Sequence, residues 1–394
     1  MNNKNTIGLL GLAFGSTNKG CEALGYGFLN VIESVAREKE DKLIIHIFEK
    51  CDVNVIYNNG DYRHLILKSV PIPGISSFSK IRIHKENFKN CDVIFDFTAG
   101  DSFSDIYGIK RFVQRSIIKM LAENSGNPFV LGSQTYGPYK SLISKIMAKR
   151  IIKKATAIFA RDEMSCDRVK SLTRRESILT VDVAFAMQYT PTVIKSEKIK
   201  VGFNPSGLLW NGGYTQNNQF GLSVDYRNYC LEVMSSLLKS EKYDVYLVPH
   251  VISDELSSVD NDIVACLELK KAFPELIEAP VFNTPVEVKS YISGMDVFVG
   301  ARMHATIAAL TTEVPVIPFS YSPKFEGLFT SIGYNHIVSA TKVTTEDAIN
   351  QTLKLINSKD ELREELRNLT PRIIKGVDYL KEETRKILFS SGVL

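Results

Sequence analysis

The chain has 394 residues, of which 44% are hydrophobic, 10% aromatic and 23% charged, with 48 Lys and Arg against 44 Asp and Glu. These are globular values that exclude a disordered, collagen-like or coiled-coil chain, and an excess of +4 without a basic, aromatic-interleaved stripe makes no case for nucleic acid. At ~150 residues per domain the length predicts two or three domains, each able to bury its own core. The six cysteines, Cys21, Cys51, Cys91, Cys166, Cys230 and Cys266, stand apart with no C-x-x-C. Such spacing offers no zinc ribbon or redox motif and fits reduced core thiols in a reducing compartment.

In chain order, the apolar run Ile7–Gly15 behind Lys4 has the outline of a short signal sequence. The β-then-α rhythm of the rest of the chain makes it the first buried strand instead. Strands are predicted over Thr6–Phe14, Leu43–Glu49, Asp92–Phe97, Pro128–Gly132 and Ala157–Ala160, whose cores lack polar alternation, as in strands covered on both faces. Helical patterns occupy Glu22–Glu38, Lys110–Asn124 and Glu163–Leu172. The second half repeats the scheme, with strands at Lys200–Asn204, Val245–Pro249, Asp296–Gly300 and Val316–Phe319. Its helices are Tyr226–Leu238, Ser258–Phe273, Pro285–Gly294 and His304–Thr311. The rhythm implies two doubly wound, mainly parallel sheets facing a central cleft. Polar, proline-bearing Met187–Lys198 reads as the linker, giving domains 1–190 and 199–370. The charged tail Asp360–Leu388 is helical with a break at Pro371, and 371–394 is expected to pack back on the first domain. No run reaches the ~18 apolar residues of a membrane span, so a soluble cytoplasmic protein is expected.

Three loops carry candidate chemistry. The first βα turn, Phe14 to Ala23, brings Asn18, Gly20 and Glu22 to a glycine-bearing helix start, where free N–H groups favour anions; it is neither a Walker A nor a G-x-G-x-x-G motif. After the third predicted strand, Asp101 and Asp105 stand among hydroxyls, placed to bind or deprotonate a sugar hydroxyl, or to cap a helix. Asp260-Asn261-Asp262 reads as a cap. The sharpest cluster is Arg302-Met303-His304 at a strand-to-helix junction, with Lys324 after the next strand and His250 after an earlier one. Arg302 and Lys324 suit a doubly anionic ligand, and His304 suits proton transfer. No metal-ligand spacing is present.

These residues resemble the polysaccharide pyruvyl transferase family. The resemblance rests on Asn18-Lys19-Gly20-Cys21-Glu22-Ala23, Ala99-Gly100-Asp101-Ser102, Gly132 to Pro138, and Arg161-Asp162-Glu163-Met164-Ser165. Its most specific part is Arg302-Met303-His304 followed by Pro315, Tyr321 and Lys324. It departs from the family pattern at Cys21 and at Gln134-Thr135-Tyr136. It implies a GT-B-like pair of Rossmann-type domains and transfer of the pyruvyl group of phosphoenolpyruvate to a sugar as a cyclic ketal, in surface-polysaccharide assembly. On that reading His304, Asp101 and Asp105 are catalytic, and Arg302, Lys324, His250, Tyr321, Asn18, Gly20 and Glu22 bind substrate. No cofactor is implied beyond phosphoenolpyruvate as donor. The implied partner is a glycan acceptor, lipid-linked in one version; the lysine-rich stretch Lys145–Lys154 reads as a solvated helix face or, with a lipid-linked acceptor, as a peripheral contact with the inner face of the plasma membrane. The competing readings are a nucleotide-sugar glycosyltransferase on the same fold, for which Glu326 is the one carboxylate after Lys324, and a non-catalytic glycan-binding protein.

Overall fold

The computed structural model describes residues 5–72 and 78–394, the side chains of 78–80 aside. It divides into two compact units. Unit 1 comprises the chain up to Gly15, Leu24–Gln188 and Lys375–Leu394; unit 2 comprises Ser16–Ala23 and Tyr189–Ile374.

Unit 1 is built on seven strands, β1 (Thr6–Leu10), β2 (Leu43–Ile47), β3 (Leu65–Ser69), β4 (Val93–Asp96), β5 (Phe129–Gln134), β6 (Ala157–Ala160) and β7 (Ile178–Leu179). All pair in parallel in the order β3-β2-β1-β4-β5-β6-β7. Its helices are α1 (Lys19–Lys39), α2 (Val53–Asn58), α3 (Phe78–Lys89), α4 (Ile109–Glu123), α5 (Leu142–Lys154) and α6 (Glu163–Thr173). Strands β4, β5 and β6 are buried at every residue, which is why they read as unbroken apolar runs. Strand β3 is not predicted from the sequence; it alternates buried Leu65 and Leu67 with exposed Ile66 and Lys68 at the sheet edge. Around Leu131, Phe129, Ile151 and Ile158 the helices close one face of the core.

Unit 2 has six strands, β8 (Ile199–Asn204), β9 (Tyr243–Leu247), β10 (Ile277–Glu278), β11 (Val297–Gly300), β12 (Val316–Ser320) and β13 (Val338–Ser339), parallel in the order β10-β9-β8-β11-β12-β13. Its helices are α7 (Gly207–Trp210), α8 (Tyr226–Lys239), α9 (Asp262–Ala272), α10 (Pro285–Ile292), α11 (Met303–Leu310), α12 (Pro323–Ser331) and α13 (Thr345–Asn357), followed by α14 (Lys359–Ser390). In both sheets the order reverses beside the first strand, and the carboxyl ends there form the crevice that open α/β sheets use for ligands.

The tail differs from expectation. α14 runs unbroken through Pro371. The proline lies on an exposed face between buried Leu366 and Ile373, so the carbonyl it leaves without a donor, that of Arg367, points to a side where water can serve it. Its last stretch, from Lys375, belongs to unit 1, where Gly376 packs on Val181.

Within unit 1, α1 lies so close to the turn Val183–Ala186 that a Cβ at Gly27 would fall 2.1 Å from the Val183 carbonyl oxygen. One turn later Asn30 Nδ2 donates to Ala186 O at 3.1 Å. A backbone oxygen cannot rotate away, so Gly27→Ala is expected to lower stability by about 3 kcal/mol, measured by urea denaturation; an unchanged midpoint would contradict this packing.

Candidate active site

The site in unit 2 assembles at the ends of β8, β9 and β11 around Asp262, the first residue of α9 and fully buried. Its Oδ2 accepts the backbone N–H of His250 (3.0 Å) and Val251 (2.9 Å), and its Oδ1 accepts Gly207 N–H (2.9 Å). The same Oδ1 takes Arg302 Nε (3.0 Å) and Nη2 (2.7 Å), while Nη2 also donates to the Asp260 carbonyl. Asn204, the last residue of β8, accepts Arg302 N–H at 3.0 Å and donates to Val248 O at 2.9 Å. Three strand ends are thereby tied to one carboxylate.

The run Asp260-Asn261-Asp262, read from the sequence as a cap, supplies the cap of α9 through Asn261, whose Oδ1 accepts Ile263 N–H, while Asp262 turns inward. Arg302 is correspondingly not a loose cation. Burial works against its charge, but the Asp262 carboxylate outweighs this and raises its pKa, so the guanidinium is fixed in charge and orientation.

The loop Ser16–Ala23 joins this cluster within the same unit. Asn18 forms an antiparallel bridge with Val251, Lys19 N–H donates to His250 O (3.0 Å) and Ile252 N–H to Thr17 O (2.8 Å). Asn18 Oδ1 caps α1 by accepting Gly20 N–H at 3.0 Å and Cys21 N–H at 3.3 Å. Lys19, which carries no role in the sequence-based expectation, directs its three ammonium protons to Ser16 O (2.9 Å), Asn283 O (2.7 Å) and Glu22 Oε2 (2.9 Å). Glu22, expected to bind substrate, is buried in that ion pair. Gly20 faces His304 so closely that a Cβ there would lie 2.6 Å from Nδ1.

His250 is buried, and neither ring nitrogen has a hydrogen-bond partner among the described residues. Burial, with His304, Arg302 and Lys19 adding to it, pushes its pKa well below the ordinary 6.5. An uncharged imidazole with two open nitrogens can donate to an anion's oxygen through one and accept a proton through the other. On the next strand, Tyr321 follows β12 with its ring 4.9 Å from that of Phe220, and half-buried Lys324 sits in the first turn of α12.

In unit 1, Asp101 follows a turn in which Thr98, Ala99 and Gly100 all have positive φ (45°, 52° and 81°), a conformation costly for residues with a Cβ. Asp96 holds the turn, accepting Thr98 Oγ1 at 2.6 Å and pairing with buried Lys119 at 3.1 Å. Asp101 Oδ2 accepts Tyr107 Oη at 2.9 Å. Asp105 is taken up elsewhere: its carboxylate accepts Lys140 N–H, Ser141 N–H and Ser144 Oγ at 2.8–3.0 Å. Partial burial works against its charge, but these bonds outweigh it and hold its pKa down, and they anchor the start of α5. Arg161, which the sequence marks only as a motif position, lies buried against Gly100. Its Nη1 donates to Asp182 (2.5 Å), its Nε to Thr135 Oγ1 (2.9 Å), and its Nη2 is unbonded among the described residues. Asp162 of the same motif caps α6, its Oδ1 accepting Ser165 N–H at 2.7 Å.

The polysaccharide pyruvyl transferase model matches residues 18–323, spanning the Asn18 loop, the Asp101 turn and the Arg302–His304 junction. The chain belongs to this family. No curated protein shows a significant sequence match. Among solved structures, the chain is similar to HepE of Anabaena, solved with UDP and glucose, at TM-score 0.59 and 10% identity, covering 98% of this chain and 99% of that one. It is similar to S. aureus MnaA, solved with UDP, at TM-score 0.59 and 12% identity over 99% and 98%. Sucrose-phosphate synthase of Thermosynechococcus elongatus gives 0.58 and 9% over 98% of each chain. At such identities the likeness establishes a GT-B-like α/β fold for this pyruvyl transferase family member and nothing about its ligand. Among the described residues no group of His, Cys, Asp or Glu is arranged to hold a metal ion.

Removing the Asp262 carboxylate leaves a buried guanidinium and three backbone N–H groups without their acceptor. Asp262→Ala is therefore expected to lose about 3–5 kcal/mol in chemical denaturation, with Asp262→Asn losing less because it keeps one acceptor oxygen. The buried imidazole gives a pH signature as well. Its folded pKa lies below 6.5, so below that pH the unfolded chain binds the extra proton and stability falls as pH drops; above it this contribution is constant. Thermal melts of wild type and His250→Gln between mildly acidic and neutral pH are expected to show the wild-type slope reduced in the variant.

Proposed function

We propose that the protein transfers the pyruvyl group of phosphoenolpyruvate to two hydroxyls of a sugar as a cyclic ketal, during assembly of a surface polysaccharide. Family membership supports the transferase class. The observation that carries the donor is buried His250, with open ring nitrogens beside Arg302, His304 and Lys19, at the carboxyl ends of parallel strands where anions are received.

In this scheme the anions of phosphoenolpyruvate lie toward His250 and Lys324, while Arg302, held by Asp262, fixes the backbone from which His304 projects. His304 donates a proton to C3, making C2 electrophilic. One sugar hydroxyl bonds to C2 and gives up its proton, and phosphate departs with the electron pair of the C2–O bond. The second hydroxyl then bonds to C2 and gives up its proton, closing the ring. Of the two protons released, one restores His304 and the other leaves with phosphate. The scheme draws on no resident cofactor.

Incubation with phosphoenolpyruvate and a panel of glycans is expected to yield one acceptor carrying a pyruvyl ketal by mass spectrometry, with one phosphate released per ketal. His304→Ala is expected to slow transfer by a factor on the order of 10²–10⁴ at unchanged stability; near-normal rates would remove His304 from the scheme. Stabilisation in thermal melts by UDP and not by phosphoenolpyruvate would instead favour a nucleotide-sugar donor.

A further inference from the structure

α5 begins with large apolar side chains in solvent: Leu142 is 73% exposed, Ile143 55% and Ile146 59%. Ile106, Tyr107 and Ile109, at 49%, 38% and 40%, precede or open α4. These groups share one region of unit 1, because Asp105 grips the backbone of Lys140 and Ser141 and Ser104 Oγ donates to Pro138 O at 2.7 Å. Single exposed aliphatics are ordinary, whereas a cluster of them marks a contact surface.

The charge carried by α5 itself is one-sided. α5 carries Lys145, Lys149, Arg150, Lys153 and Lys154 and no acidic residue. Arg150 and Lys154 turn to Glu123 (3.5 and 3.4 Å). Exposed Lys140, Lys145, Lys149 and Lys153 make no ion pair among the described residues, and exposed Lys110 and Arg111 stand beside Ile109, the latter over the Tyr107 ring. The acids that face the cluster are Asp105, on the backbone of Lys140 and Ser141, and Asp101, on the Tyr107 hydroxyl, and the neighbouring α6 carries exposed Glu163 and Asp167. At helical spacing Leu142, Lys145, Ile146 and Lys149 share a face. Apolar tips interleaved with unpaired lysines do not suit the core of a protein interface, where Lys is depleted and a second copy would bring like charge against like. They suit a bilayer interface, where aliphatic tips enter the acyl boundary and lysines stay among anionic headgroups.

We propose that this face of unit 1, centred on α5, docks the protein on the surface of an anionic bilayer. No helix among the described residues is long and apolar enough to cross a membrane, so the contact is peripheral. It is independent of the pyruvyl transfer chemistry.

The test is cosedimentation of the full chain with vesicles of phosphatidylcholine alone or mixed with phosphatidylglycerol. Binding is expected to the mixed vesicles only and to weaken with salt. Lys145→Ala/Lys149→Ala/Lys153→Ala is expected to weaken it roughly a hundredfold, at about tenfold or less per lysine. Leu142→Ser/Ile143→Ser/Ile146→Ser is expected to abolish it, and both variants should melt like wild type because the replaced side chains are exposed. Absence of vesicle binding, or equal binding to both compositions, would overturn the proposal. So would a wild-type dimer in light scattering that the serine variant converts to monomer without any vesicle binding.

Discussion

A single buried carboxylate organises unit 2. Asp262 closes the ends of β8, β9 and β11 by accepting three backbone N–H groups and the Arg302 guanidinium. Burying an ion is unfavourable unless its lone pairs are filled, and here the filling groups come from the loops that carry the candidate chemistry. Arg302, His250 and the helix bearing His304 are thus positioned by one electrostatic requirement. The Asn18 loop adds a second layer without adding net charge, because Lys19 and Glu22 neutralise each other.

Unit 1 solves a similar problem differently. Its Asp101 turn strings three left-handed residues together, and the unfavourable backbone is held by Asp96, which grips Thr98 and is itself paired with Lys119. Burial lowers the Lys119 pKa while Asp96 opposes that shift, so the pair stays mutually dependent. Backbone strain held by a buried ion pair is characteristic of positions whose direction matters for ligands.

Much of the fold and part of the site are legible in the sequence, and the rest is hidden for identifiable reasons. Central strands announce themselves because both faces are covered; β7, β10 and β13, at two residues each, are too short to carry a period. Arg302, His304 and Lys324 stand out because a strand-to-helix junction can be read locally. Asp262 does not, since D-x-D before a helix looks identical whether its second carboxylate faces water or the centre of a sheet. Asp105 illustrates the converse: the donors to its carboxylate lie at Lys140, Ser141 and Ser144, too far along the chain for spacing to reveal. Pro371 misleads because the ban on helix-interior proline weakens when the forfeited carbonyl faces solvent.

The contact between Gly20 and the His304 ring also has an entropic side. A flexible imidazole must surrender rotamer freedom when it engages a ligand, and that loss opposes binding. Here the ring lies in the room that a side chain at position 20 would fill, since a Cβ there would fall 2.6 Å from Nδ1, so part of that ordering is completed when the chain folds. The absence of a side chain at position 20 thereby acts at a distance of one ring, by leaving the place in which the His304 imidazole lies.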